Sequence, residues 1–388
     1  MSKRDPEFAL LAACCQWPPG PRRLSAIADA ARGAIDWDRF ERLVTRHRVT
    51  GLAAQGLASV QVGPATVRAR LGGAALGVAT AHLAMTAEAL RLQRLFDAAG
   101  IRAFMVKGVA VSRLAYGEAA VKQSKDLDLV VPLEDFAKAE ALLGEAGYVL
   151  WASEAPLSPE EWALALRFAK HRGFRHPSGT LVELHFRLER NPVAQASLGN
   201  APPLQDVAMG EGSVRTLANP VLYTYLCIHG GGHAWRRLKW LADLAAFLAS
   251  TKADLVQLHE GAAGRGARRA SAVALALCHD ELGLDVPPAL LREARTSLVG
   301  RIFLVNARAA LRAEGRGGWG QELMVLRERL CRMLMLDSLA YLGEEVRLVL
   351  VSESDARTLR LPPRWSFLYP LVRVPLLIER IWRRTMRG

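Results

Sequence analysis

The stretch KQSKDLDLVV, residues 122–131, decides the fold of this chain. Its apolar run predicts a short buried β-strand. Asp126 and Asp128 are two residues apart, so in a strand both carboxylates point to one face while Leu127 and Leu129 enter a core. Carboxylates this close repel each other, and burying them unpaired is costly. The pair therefore needs a counter-charge.

The composition indicates a globular protein that favours anions. The chain has 388 residues, is 51% hydrophobic and carries a formal net charge of +13. The apolar content excludes a disordered chain, and the charge favours nucleotide phosphates, nucleic acid or acidic lipid. The excess of positive charge comes largely from arginines spread over helix faces, so it is weak evidence for a nucleic-acid partner. Five cysteines without a CxxC pair favour a reduced, cytoplasmic protein.

Both ends of the chain bear on membrane contact. The start MSKRDPEFALLAACC is interrupted by Asp5, Pro6 and Glu7, which favours an amphipathic helix over a secretion signal. No segment has the roughly 18 consecutive apolar residues of a spanning helix. The basic tail at 351–388 predicts either a helix docked on the body or one in contact with a membrane surface.

The neighbours of the acid pair predict a small α/β core. IRAFMV, residues 101–106, indicates a buried strand that ends at Lys107-Gly108, and VAVSRLAY indicates a helix after it. A strong helix at 80–100 precedes this strand, with Gly100 as its C-cap. Further elements are predicted at 133–147 (helix), 148–151 (strand) and 158–171 (helix).

A hairpin supplies a third acid. RGFRH, the turn PSG and TLVELHFRL predict two paired strands at 172–176 and 180–188. Glu183 and His185 share one face of the second strand, which is otherwise built for burial. The fold class is therefore α+β, with a small mixed sheet between helical regions and no strand after about residue 200. The predicted division is 1–84 (helical), 85–190 (α/β core), 200–350 (helical) and 351–388 (basic amphipathic tail).

The core carries the residue types for phosphoryl or nucleotidyl transfer. Three carboxylates on neighbouring strands suit Mg²⁺, which also removes the repulsion between Asp126 and Asp128. The Lys107-Gly108 turn at a helix N-terminus predicts a phosphate site. Metal carboxylates beside a phosphate-binding turn are the parts of a two-metal transferase.

These features resemble the nucleotidyltransferase superfamily that includes DNA polymerase β. More closely, FMVKGVAVSRLAYG, KQSKDLDLVV, LVELHFRL and LYTYLCIHGGGHAWRRLKWLADLA resemble a bacterial family of uncharacterised nucleotidyltransferases, related to the toxins of abortive-infection systems. The resemblance spans roughly 100 to 250. Lys122 stands where that family has arginine, and Glu183 where it often has aspartate. Lysine at position 122 keeps the positive charge of arginine but cannot make the two parallel hydrogen bonds of a guanidinium group.

The resemblance implies a role for each matching residue. Asp126, Asp128 and Glu183 would be catalytic and bind one or two Mg²⁺ ions, with Glu183 also a base for the acceptor hydroxyl. The implied nucleotide-binding residues are Lys107, Gly108, Lys122, Ser124, His185, His229, His233, Arg236 and Lys239. The substrate would be an NTP, and the acceptor a hydroxyl of a small molecule, peptide or protein in a biosynthetic pathway.

Structural alternatives stay open for most of these residues. The acid pair could lie on a surface strand edge, Glu183 could pair with Arg175, and Ser124 could cap the strand. His229 and His233 have metal-ligand spacing, but the intervening triple glycine argues against a regular helix there. Asp243 is expected to pair with a base on its own helix, and tryptophans 235 and 240 to be core residues.

Three functions follow, in this order. The first is Mg²⁺-dependent nucleotidyl transfer to a hydroxyl acceptor. The second is a catalytically weak nucleotide-binding protein, which the lysine at position 122 allows. The third is RNA modification, which the net charge favours although no RNA-binding module is present.

Overall fold

The computed structural model describes residues 5–117, 119–151, 162, 166–314 and 319–350. It confirms the α+β class, because helices surround a seven-stranded mixed sheet. All five cysteines are buried and unpaired.

The chain begins with helices, as predicted. They are α1 (Pro6–Cys14), α2 (Pro21–Ala30), α3 (Trp37–His47), α4 (Thr50–Val60) and α5 (Ala65–Ala98). Gly100 follows α5 with a φ of 70°, the left-handed conformation expected of its C-cap. The prediction of an amphipathic first helix is wrong in one respect. Helix α1 is buried on nearly all sides, because α2, α3 and α4 pack around it.

The acid pair's strand lies in the middle of the sheet. The strands are β1 (Phe104–Met105), β2 (Leu127–Val130), β3 (Val149–Leu150), β4 (His171–Arg175), β5 (Leu181–His185), β6 (Leu204–Met209) and β7 (Gly212–Leu217). Their order is β3-β4-β5-β2-β1-β7-β6. Strand β2 pairs antiparallel with β1 and parallel with β5. Leu127 and Leu129 are buried, so one face of β2 anchors it as predicted.

The prediction that strands end near residue 200 is wrong. Strands β6 and β7 form an antiparallel hairpin, and β7 adds to the sheet by parallel pairing of Thr216 with Met105 of β1. Val207, Met209 and Val214 are buried in the core beneath the sheet. Buried and less buried residues thus alternate along the hairpin, as in a strand pair with one face in the core. Its pairing with β1 places the hairpin at one edge of the sheet.

Helices fill the rest of the described chain. They are α6 (Val109–Tyr116), a 3₁₀ turn (Leu133–Asp135), α7 (Phe136–Glu145), α8 (Pro192–Leu198), α9 (Asn219–Gly232), α10 (Leu238–Thr251), α11 (Leu255–Gly264), α12 (Arg268–Leu282), α13 (Pro288–Thr296), α14 (Leu298–Arg312), α15 (Trp319–Met333) and α16 (Leu339–Leu350). One hydrophobic cluster joins the N-terminal helices to the C-terminal ones, from Phe8 to Tyr341. A second cluster packs α5 and α7 against the sheet. The predicted domain boundaries stay a prediction.

Two predicted segments fall partly or wholly outside the described residues. Of the helix expected at 158–171, residues 162 and 166–168 are helical and His171 begins β4, whereas 158–161 and 163–165 are not described. The basic tail at 351–388 also lies outside them. Within the described part of the chain, no helix is long and apolar enough to cross a membrane.

Candidate active site

The site begins at the turn between β1 and α6. Gly108 has φ 62° and ψ −124°, a conformation that strains any residue with a β-carbon. A β-carbon built there would lie 3.7 Å from the backbone oxygen of Asp126 and 4.0 Å from Ser124 Oγ. The turn therefore packs closely against the segment that leads into β2. The first backbone N–H groups of α6 have no intrahelical acceptor, which suits an anion beside this turn.

The sheet register brings two of the acids together. Asp128 lies directly beside Glu183, because β2 and β5 run parallel with these two residues paired. Asp126 immediately precedes β2. Sequence reasoning placed these carboxylates on neighbouring strands, and the register makes Asp128 and Glu183 adjacent.

Asp128 is held by two cationic or hydrogen-bonding partners. Its Oδ1 lies 2.7 Å from Lys107 Nζ and 3.3 Å from His185 Nε2. Burial by itself would raise the pKa of Asp128, but Lys107 and His185 outweigh burial and hold the pKa well below its usual value. Burial would likewise lower the pKa of Lys107, and Asp128 outweighs it and raises that pKa. Both groups are therefore charged at neutral pH.

Glu183 lies within a histidine cluster. His185 Nε2 is 3.2 Å from Glu183 Oε2, and His171 Nδ1 on β4 is 3.6 Å from the same oxygen. Burial lowers the pKa of His171 to about 4, with a further contribution from His185. Burial would raise the pKa of Glu183, but the hydrogen bond from His185 leaves it below the usual value. The ligand atoms of these three residues lie within 4.8 Å of one another and could hold a metal ion. The alternative pairing of Glu183 with Arg175 is wrong, since among the described residues the ionic contacts of Glu183 are with His171 and His185.

Asp126 has no cationic partner of its own. Among the described residues its side chain makes no ion pair or hydrogen bond. Burial raises its pKa, and so do the nearby charges of Asp128 and Glu183. The nearby charges of Lys107 and Lys239 oppose this rise only in part. An oxygen-donor site of this kind fits a hard divalent cation.

A cavity of about 150 Å³ opens beside these acids. Its walls contain eight of the predicted site residues: Lys107, Gly108, Lys122, Ser124, Asp126, Asp128, His229 and Lys239. Glu183 and His185 are not in its wall; His185 instead reaches the site through Asp128. His233 and Arg236 are held away from it by Glu328, at 2.6 and 3.3 Å.

Lys122 has a partner that sequence reasoning did not predict. Its Nζ forms a buried ion pair with Asp243 of α10, whose Oδ1 also accepts a hydrogen bond of 3.0 Å from the Tyr116 hydroxyl. The expectation that Asp243 pairs with a base on its own helix is therefore wrong. Lys122 thus joins the loop before β2 to α10.

The triple glycine does not break its helix, contrary to the prediction. Helix α9 runs through Gly232, and the glycines permit close packing: a β-carbon on Gly230 would lie 2.3 Å from the Trp235 ring. The ring of His233 stacks on Trp240 at 5.1 Å, and His229 meets the same indole edge-on at 5.6 Å. In the described chain these two histidines belong to no group of three metal ligands.

Trp235 is a core residue, as predicted. Trp240 is partly buried and packs against the same core, and it also lines the cavity. Arg48 lines it too, and no sequence motif marked it. Arg48 follows α3 in a left-handed conformation with φ 55°. Its position near the acids comes only from packing of the N-terminal helices.

Two cations in the cavity wall are unpaired. Neither Arg48 nor Lys239 makes an ion pair or side-chain hydrogen bond among the described residues. Burial lowers the pKa of Lys239 to about 7, and the charge of Lys122 adds to the effect. Cations that form no ion pair are available to phosphate oxygens.

A glycine turn at a helix N-terminus, the carboxylates of Asp126 and Asp128 and two cations line one cavity, an arrangement suited to nucleotidyl transfer. The chain belongs to the family described as "Uncharacterised nucleotidyltransferase", whose profile matches residues 33–283. The match includes every residue of the candidate site, and it also includes α3 with Arg48. Comparisons with curated proteins and with solved structures found no match.

Proposed function

We propose that this protein moves a nucleoside monophosphate from an NTP to a hydroxyl of a small-molecule, peptide or protein acceptor, with Mg²⁺ as cofactor. The observation that carries the proposal is the pairing of Asp128 with Glu183 beside Asp126 and the Lys107-Gly108 turn. We also propose a relation to the polymerase-β-like superfamily. The order of strand, glycine turn, helix and Asp-x-Asp strand supports it.

The donor set fits the metal. Among the described residues Asp126 forms no ion pair, and its raised pKa reflects burial and the neighbouring acids. Asp126 and Asp128 would hold Mg²⁺, with Glu183 available for a second ion. When bound, the metal supplies positive charge to the phosphates and favours ionisation of the acceptor hydroxyl.

The remaining roles belong to the chain's own groups. The Gly108 turn and Ser124 bind phosphate oxygens, and Arg48 and Lys239 add positive charge where the triphosphate lies. We assign Glu183, the strand neighbour of Asp128 outside the cavity wall, as the base that accepts the proton of the acceptor hydroxyl. The acceptor oxygen then bonds to the α-phosphorus, and the bond to pyrophosphate breaks. His185 Nε2 lies 3.2 Å from Glu183 Oε2 and 3.3 Å from Asp128 Oδ1 and holds both carboxylates in place.

The test is pyrophosphate release with Mg²⁺ and each NTP over a panel of hydroxyl acceptors, with mass spectrometry of the acceptors. An added nucleotidyl mass that is lost in Asp126→Asn supports the proposal. Absence of pyrophosphate and of any mass increase across the panel, with intact folded protein, contradicts it.

A second candidate, nucleotide binding with little turnover, has one observation in its favour. Lys107 and Lys122 are both paired with carboxylates, so the positive charges of two predicted nucleotide-binding residues are already neutralised. Isothermal titration with NTP and Mg²⁺ separates the two candidates. Tight binding without turnover would favour the binding protein.

A further inference from the structure

A second, larger cavity adjoins the active site. Its volume is about 450 Å³, and its lining includes Thr45, Arg46, Arg48, Arg236, Arg237 and Glu314. Arg48 lies in the walls of both cavities. The two cavities therefore share this arginine as a wall residue.

The positive charge of this cavity is not balanced. Among the described residues, neither Arg48 nor Arg237 makes an ion pair or a hydrogen bond with its side chain. Arg46 donates to the backbone oxygens of Leu311 and Ala310 at 3.1 Å, which satisfies its donors but not its charge.

The two acids near the cavity are already engaged. Glu314 accepts from Arg39 at 2.7 Å, and Glu328 is paired with His233 and Arg236. Burial lowers the pKa of Arg237 to about 10, and the charges of the other three cavity arginines lower it further. Guanidinium groups that repel one another in a half-buried space are stabilised by a bound anion.

The larger cavity does not hold the reacting phosphate. The Lys107-Gly108 turn, Asp126 and Asp128 all line the smaller cavity, and none of them lines the larger one. The larger cavity therefore suits the other substrate of a transfer reaction.

We propose that the arginine-lined cavity is the acceptor subsite and that the acceptor carries a phosphate group, bound there while its hydroxyl reaches the α-phosphate past Arg48. This inference rests on the proposed function, because an acceptor exists only if the protein is a transferase. Arginine forks match the geometry of phosphate oxygens, and those of Arg48 and Arg237 are unpaired among the described residues, which makes a phosphorylated acceptor the best fit.

The test uses inorganic phosphate as the probe, titrated calorimetrically into the full chain at constant ionic strength. It is run with and without a saturating non-hydrolysable NTP analogue and Mg²⁺. The variant is Arg237→Met, with Arg237→Lys as its conservative partner. Arg42→Met is the matched control, since Arg42 lies exposed on the neighbouring helix α3 outside the cavity. Acetate serves as the monoanion comparison.

We expect phosphate to bind the NTP-loaded protein as well as the free protein, and more tightly than acetate. Arg237→Met should weaken phosphate binding by about tenfold or more, because charge-assisted hydrogen bonds to arginine are lost. Arg237→Lys should retain part of the affinity, and Arg42→Met should retain all of it.

Two results would overturn the proposal. One is a failure of phosphate to bind once the NTP analogue is bound, which would make the cavity part of the nucleotide site. The other is phosphate affinity that Arg237→Met leaves unchanged. Failure of the analogue itself to bind would instead contradict the proposed function, whatever the phosphate result.

Discussion

The ion pair between Lys122 and Asp243 gives the sharpest test of the site. Both side chains are almost fully buried, at 6% and 8% exposure. Lys122→Met leaves the Asp243 carboxylate buried without its counter-ion, which typically costs about 3–5 kcal/mol of folding free energy. The Tyr116 hydroxyl still donates to Asp243, so we expect the lower end, about 3 kcal/mol.

The matched design removes the whole network. In Lys122→Met/Asp243→Leu/Tyr116→Phe no buried charge or hydroxyl loses its partner, so the stability should return to within about 1 kcal/mol of wild type. The control is Lys125→Met, because Lys125 lies exposed in the same loop. Urea unfolding followed by circular dichroism measures the stability of each variant.

Nucleotide binding then decides what Lys122 does. The triple variant removes one positive and one negative charge from the cavity wall, so its affinity for MgATP by isothermal titration should stay close to wild type. If the triple variant is stable but has lost the nucleotide, Lys122 binds phosphate directly and our interpretation of the pair is refuted. A stability of Lys122→Met equal to wild type would also refute it.

Three further predictions concern the active-site cavity. Asp126→Asn should lower pyrophosphate release on the order of 10³-fold, while urea unfolding shows equal or higher stability because repulsion from Asp128 is relieved. Gly108→Ala should destabilise the fold by about 1–2 kcal/mol in the same unfolding assay, because the φ of Gly108 is 62°. The control is Gly144→Ala, which should not destabilise the fold because Gly144 lies in a helix with open space around it. The third concerns Lys239, whose pKa of about 7 leaves it partly protonated at neutral pH. Bound phosphates should raise that pKa, so nucleotide affinity should fall as pH rises above 7 and binding should take up a proton. Calorimetry in buffers of different ionisation enthalpy measures the uptake, and heats that do not depend on the buffer, or do so equally in Lys239→Met, would contradict it.

Much of the fold follows from local sequence patterns. The apolar alternation around Asp126 and Asp128, the Lys107-Gly108 turn and the helix at 109–116 were all predicted at close to their observed positions. The hairpin at 204–217 was missed although its buried residues alternate, because each strand is short and the pairing partner β1 lies about a hundred residues earlier.

The local sequence determined which residues carry charge and which strand face they occupy, since side-chain direction depends only on backbone geometry. Only the tertiary structure decided their partners. The register set Asp128 beside Glu183, packing of α10 gave Lys122 its partner Asp243, and α3 brought Arg48 to the cavity. These contacts join residues far apart in the chain. They depend on how whole elements pack, so no local pattern encodes them.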